Sequence, residues 1–192
     1  MKQGRIFLVY INMALLFGLS GCVKPQDRSI NYPQLACQEE LLEGNDFDPQ
    51  AKIDAIVIDK AKRKMYLYRK GDIVDTLPVS LGQNPVGAKR ERGDMRTPEG
   101  RFWIHRKLCS KKYYRSLCIS YPLPQDQEKA RLSGKDLGGD ITIHAQPKWN
   151  ADGHADSYTL SKDWTQGCIA VTNSAMDRLW YAVREGVPVT IK

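Results

Sequence analysis

Histidine is scarce in this 192-residue chain: His105, His144 and His154 are the only three. General-base chemistry by an imidazole must therefore draw on one of them. The five cysteines contain no Cys-x-x-Cys pair, and the histidines show no zinc-peptidase spacing. A zinc site is therefore not expected, and neither is any other metal or cofactor. Internal repeats and low-complexity tracts are absent, which argues against a repeat array or a disordered scaffold. Acids are the minority charge, 22 against 29 Lys and Arg, for a formal net charge of +7. The bases are interleaved with acids, so a solvated surface accounts for them as well as an acidic partner does. No nucleic-acid partner is expected. What is present suits one ordinary domain: 42% of residues are hydrophobic, enough for a real core.

Lys2 and Arg5 precede an apolar run over residues 6–19. That run is too short for a membrane span, which takes about 20 apolar residues. It ends in Leu19-Ser20-Gly21-Cys22, which resembles a bacterial lipobox: small residues before a cysteine whose thiol receives a diacylglycerol. Residues 1–21 are therefore expected to be a lipoprotein signal peptide, with Cys22 anchoring the chain to membrane lipid. Val23, where an Asp would favour the inner membrane, points to a periplasmic protein on the outer membrane. Beyond the leader, 27 bases face 22 acids, a net charge of +5.

Such a compartment is oxidising, so the remaining cysteines need partners. With Cys22 lipidated and Cys168 reserved for chemistry, Cys37, Cys109 and Cys118 are left. Cys109 and Cys118 flank a hairpin turn at residues 110–113, which favours their pairing. Cys37 with either one is the alternative.

Residues 22–50 carry Pro25, Pro33 and Pro49 among mixed polar residues and read as a tether, with room for one short helix near residues 34–42. From residue 51 the pattern becomes a domain. The apolar run 53–58, the alternating 64–69 and the strand 73–81 form a meander with a turn at Gly71-Asp72. Residues 82–93 are a Gly- and Pro-containing loop, and 101–108 and 117–121 read as a further strand pair. A short helix over 125–132, short strands at 141–144 and 168–171, and a final strand at 187–191 complete the domain. Between the last two, Thr172 or Asn173 caps a helix with Met176, Leu179, Trp180 and Val183 on one face. The fold class is mainly β with one or two short helices.

A nucleophilic cysteine needs its thiol proton removed, and a nearby imidazole is the usual acceptor. His144 ends one short strand and Cys168 begins another after Gly167. Strand ends facing one cleft are where such a pair can meet, with the amides around Gly167 and Cys168 turned towards a developing oxyanion. His154, beside Asp152 and Asp156, reads as an exposed loop residue, and His105 as structural. Trp149, Tyr158 and Trp164 suit either a lid over a cleft or the pinning of a long loop. Lys89 and Arg92 read as solvated charges, with substrate carboxylates the alternative.

Four ordered blocks then point to a family. They are residues 53–68 with Gly71, residues 79–102, Gly138-Gly-Asp-Ile-Thr-Ile-His144, and Thr165-Gln-Gly-Cys-Ile-Ala-Val-Thr-Asn173. Together they resemble the L,D-transpeptidase catalytic domain, also called the YkuD domain, over about residues 53–192. The resemblance implies a β-sandwich or barrel-like fold and an enzyme of peptidoglycan stem peptides. Cys168 would be the nucleophile and His144 the proton acceptor and donor. The Ala145 carbonyl would orient the imidazole, and Gly167 would serve the oxyanion. Gln166, Trp164 and Thr165 would meet substrate. A tetrapeptide stem would acylate Cys168 with loss of D-alanine. The acyl group would pass to a diamino-acid amine, forming a 3→3 cross-link, or to a wall-attached lipoprotein. The alternatives are hydrolysis as a carboxypeptidase or endopeptidase, and a non-catalytic wall-binding lipoprotein. Two positions depart from the common motif: Gln166 replaces a histidine, and Ala170 replaces an Arg or Asn. Asp163-Trp-Thr-Gln-Gly-Cys-Ile-Ala170 matches a subgroup with the same changes, and the lost Arg removes a bidentate carboxylate anchor.

Overall fold

The computed structural model describes residues 32–192. The expected signal peptide and Cys22 lie outside the described residues. Among those described, no helix is long and apolar enough to cross a membrane.

Alternation of apolar and polar side chains places the strands, because a strand with one buried face reads with a period of two. Strands β1 (Ala55–Asp59), β2 (Lys64–Arg69) and β3 (Asp72–Pro78) form the antiparallel meander read from the sequence. Strands β4 (Gly100–Ser110) and β5 (Tyr114–Ile119) form the second hairpin, with Ser110 opposite Tyr114. Strands β6 (Thr142–His144) and β7 (Ile169–Ala170) are short and parallel to each other, and β8 (Pro188–Ile191) runs between β1 and β4. The result is one mixed eight-stranded sheet in the order β3-β2-β1-β8-β4-β5-β6-β7.

β4 joins the two halves of the sheet. Residues 100–103 pair with β8, while Ile104 onward pairs with β5 across a bulge between Ile104 and Arg106. A bulge bends a strand and increases its twist. The segment after β3 then returns to the far edge: Ser80 and Ala170 exchange backbone hydrogen bonds at 2.9 Å, and Gly82 bridges Thr165. The chain leaving one edge strand thus bridges to the opposite edge of the sheet.

Among the described residues four α-helices accompany the sheet, three of them where the sequence placed helices, near residues 34–42, at 125–132 and after Thr172. Helix α4 (Asn173–Ala182) is capped by Thr172, whose hydroxyl accepts from the Ala175 amide. It buries Met176, Leu179 and Trp180 completely, as its apolar spacing requires. Helix α2 (Pro124–Leu132) follows β5, and the brief α3 (Asp156–Leu160) lies in the long connection after β6.

The fourth, α1 (Tyr32–Glu43), covers the place where the sequence left room for one short helix. Part of the stretch read as a tether is built into the fold. Cys37 is fully buried, and Glu40 contacts the Arg115 guanidinium, the Trp180 indole N–H and the Tyr181 hydroxyl. Past the helix, Asp46 pairs with the buried Lys107 at 2.7 Å.

Cys37 is disulfide-bonded to Cys109, and Cys118 is free. The favoured Cys109–Cys118 pairing is thereby corrected, and strand periodicity is the reason. Cys118 pairs with Arg106 and Cys109 with Arg115. An odd and an even position of one hairpin point to opposite faces. Cys109 faces α1, while Cys118 lines a cleft on the other face.

Candidate active site

The cleft holds about 460 Å³. Its floor is the face of β4, β5 and β6 that carries Arg106, Leu108, Ser116, Cys118 and Thr142, with Cys168 at the edge. Cross-strand register explains the gathering. Arg106 is opposite Cys118, Cys118 is opposite Thr142, and Thr142 stands one step before the Ile143–Ile169 pair, beside Cys168. The Cys168 sulfur lies 3.7 Å from the Thr142 hydroxyl and 3.6 Å from the Asp140 carbonyl oxygen.

His144 is two residues beyond Thr142 and therefore leaves β6 on the same face. It is 1% exposed. Its Nδ1 lies 2.7 Å from the Ala145 carbonyl oxygen. A carbonyl only accepts, so Nδ1 carries the proton and Nε2 is left as the acceptor. Tyr113 stacks on the ring at 3.9 Å between centroids, and Trp164 meets it edge-on at 5.6 Å. Burial, opposed only by the Ala145 hydrogen bond, lowers the imidazole pKa to about 4. Burial also pushes the Cys168 thiol above its ordinary value, against the lowering effect of hydrogen bonds from Thr142. Both groups are therefore neutral at rest near neutral pH. The sulfur's hydrogen-bond partners are Thr142 and Asp140, not the imidazole.

The residues before Cys168 form a tightly tied loop. Asp163 accepts from the Leu81 amide and from two nitrogens of Arg63. Thr165 is 4% exposed; its hydroxyl donates to the Cys168 carbonyl at 2.7 Å and accepts from the Gly167 amide at 3.1 Å. The Gly167 N–H is committed inside the loop, Thr165 is buried with its hydroxyl occupied, and Trp164 meets the imidazole. Gln166, by contrast, is exposed and lines the cleft.

Gly167 is required by close approach. Its φ is +129°, and a Cβ would stand 2.7 Å from the Arg96 carbonyl oxygen. Gly82, beside it, would drive a Cβ into the Met95 carbonyl oxygen. The loop they pack against is organised by Asp94. Burial alone would raise that carboxyl, but hydrogen bonds from the Arg90, Arg96 and Glu91 amides and from Lys89 hold it at about 2. Lys89 is thus an internal, acid-paired residue and not a solvated charge.

Sequence reasoning missed Tyr113 and Thr142, which touch the imidazole and the sulfur. Tyr113 sits in a hairpin turn whose position was legible although its stacking partner was not. Trp149 and Tyr158 are exposed and pack edge-on with each other at 6.4 Å, apart from the Tyr113–His144–Trp164 cluster. His154 is exposed beside Asp152. Among the described residues, no three His, Cys, Asp or Glu side chains gather into a metal-binding group.

A family model, the L,D-transpeptidase catalytic domain (YkuD), matches residues 53–191. No curated protein matches the chain by sequence. Among solved structures, the chain is similar to the helical cell shape determining protein Pgp2 from Campylobacter jejuni, at 24% identity and a TM-score of 0.53, over 81% of this chain and 55% of that one. It is similar to Bdellovibrio bacteriovorus Bd1075 at 23% identity and a TM-score of 0.50, over 76% of this chain and 50% of that one. The L,D-transpeptidase from Xylanimonas cellulosilytica shares 17% identity at a TM-score of 0.49, over 82% of this chain and 69% of that one. This chain thus spans about half the length of the first two.

Proposed function

Because the chain belongs to the L,D-transpeptidase catalytic-domain (YkuD) family, we propose that it is a peptidoglycan L,D-transpeptidase working through a thioester on Cys168. One observation carries this reading: a cleft-lining thiol shares a sheet face with an imidazole whose Nδ1 is tied to a carbonyl, leaving Nε2 to accept a proton.

The chemistry follows from the neutral resting pair. Cys168 Sγ leaves Thr142 and the Asp140 carbonyl and attacks the carbonyl at the L-centre of the diamino acid in a tetrapeptide stem. As the C–S bond forms, the thiol proton passes to His144 Nε2. The Cys168 N–H faces the developing oxyanion, since the Gly167 N–H is committed to Thr165. The C–N bond breaks, His144 returns the proton to the departing amine, and D-alanine leaves. A diamino-acid amine then gives up a proton to His144, attacks the thioester and restores the thiol. No cofactor enters any of these steps. Anchoring through a diacylglycerol on Cys22, in the outer membrane facing the periplasm, would hold the enzyme beside its substrate.

Purified protein incubated with tetrapeptide muropeptides tests the proposal. The expected products are D-alanine and cross-linked dimers, with a tripeptide-acyl adduct on Cys168 by mass spectrometry and none in Cys168→Ala. Tripeptides without dimers would identify water as the acceptor and make the protein a carboxypeptidase. No adduct and no product would leave a non-catalytic wall-binding domain.

A further inference from the structure

The nucleophile is the last member of a row that crosses the sheet: Arg106 on β4, Cys118 on β5, Thr142 on β6, then Cys168. All four line the same cleft. Directly opposed residues share a face, so the row presents its side chains together. Arg106 stands directly opposite Cys118, and its positive charge favours the thiolate of that residue. Bulky side chains are missing between the ends, because Cys118 and Thr142 form a low floor.

Arg106 also differs from two of the three other bases of the cleft; the third, Lys112 in the turn after β4, likewise has no carboxylate partner among the described residues but stands outside the row. Lys89 is held by Asp94 at 2.7 Å and Arg92 by Asp136 at 2.6 Å. Arg106 has no carboxylate partner among the described residues, although it stands on a sheet face lined by polar groups. Position 170, where the wider family pattern carries an Arg or Asn, is here a fully buried alanine that holds no anion.

We propose that Arg106 is the carboxylate anchor of this site and binds the free C-terminal carboxylate of the donor stem's leaving D-alanine. The inference rests on the thioester reading of Cys168 given above.

The dimensions suit it. Neighbouring strands lie about 4.8 Å apart, so three steps separate the Arg106 and Cys168 backbones by about 14 Å. A guanidinium extended along the row covers roughly half of that. The leaving residue, about 3.8 Å from one Cα to the next, spans most of the remainder. A planar fork matches a carboxylate with two parallel hydrogen bonds, which fixes orientation as well as charge. A scissile bond held between Arg106 and Cys168 is one residue from a free C-terminus. Stems extended beyond that residue would place an amide against the guanidinium and lose the ion pair.

The test compares two donors, a tetrapeptide stem with a free terminal carboxylate and the same stem as its terminal carboxamide. Acylation of Cys168 is followed by mass spectrometry and D-alanine or D-alaninamide release by chromatography. Wild type is expected to favour the acid by about 10- to 100-fold. Arg106→Gln should lose that preference chiefly through KM for the acid and slow the amide far less than the acid. Arg106→Lys, which keeps the charge and loses the fork, should retain part of it and covers the case in which the glutamine variant fails to fold, as read by its urea midpoint. Equal use of acid and amide by wild type would overturn the assignment, as would an equal loss on both in Arg106→Gln. Absence of acyl-Cys168 from either donor in wild type overturns the thioester reading itself, and with it this one.

Discussion

In the proposed mechanism the chemistry falls to two residues whose surroundings keep them uncharged. His144 is buried, and its pKa falls from the ordinary 6.5 to about 4. The folded chain therefore binds fewer protons at this site than the unfolded chain between those values. Its contribution to stability is complete above pH 6.5 and is lost as pH falls through about 4, an increment of roughly 3 kcal/mol. Urea midpoints taken at neutral pH and near pH 4 should show this, and His144→Gln should remove that part of the acid sensitivity. For catalysis, the base stays available into acid: the acid limb of kcat/KM in the free enzyme should lie near pH 4, not near 6.5. A limb near 6.5 would mean that the imidazole is solvated in solution. Gly167→Ala is a second test at this scale. The added Cβ meets the Arg96 carbonyl at a positive φ, so the substitution should cost about 2 kcal/mol or more and abolish Cys168 acylation, read by denaturant unfolding and adduct mass.

Helix α1 is the element whose attachment matters most. Its Cys37 is bonded to Cys109 at a sequence separation of 72, one residue before the turn that carries Tyr113 onto His144. Closing a loop of that size removes about 4 kcal/mol of unfolded-state freedom in the chain-entropy account. Cys37→Ala should lower the unfolding free energy by an amount of that order. Glu40→Ala acts differently. Arg115 is charged and its side chain is only 4% exposed, with Glu40 and the more exposed Asp177 as partners. Removing one partner of a buried ion pair costs about 3–5 kcal/mol when nothing replaces it, and Asp177 should hold the loss near the lower end. Urea unfolding of the two variants separates the effects, since Cys37→Ala leaves the Glu40–Arg115 pair intact.

At the scale of the whole molecule, the folded unit begins before the family-matched region. The meander starts at residue 55 and the family match at residue 53. Yet two buried cations of the domain, Arg115 and Lys107, are paired with Glu40 and Asp46 upstream of it. A chain truncated to begin at residue 51 loses both partners and Cys37. It is expected to be insoluble or molten, with weak near-ultraviolet circular dichroism, whereas a chain beginning at residue 31 should unfold cooperatively. A stable, cooperative domain from residue 51 would show that α1 is an accessory.

Local periodicity made the strands, the α4 cap and the ends of the two short strands bearing His144 and Cys168 legible in the sequence, because burial on one face of a strand or helix writes its own spacing. The four motif blocks carried the family in the same way. Only the tertiary structure decided the disulfide partner, the docking of α1, the stacking of Tyr113 on His144 and the row from Arg106 to Cys168. Each of those depends on which strands lie side by side and which face each residue takes, and register between distant segments is not encoded in the spacing within any one of them.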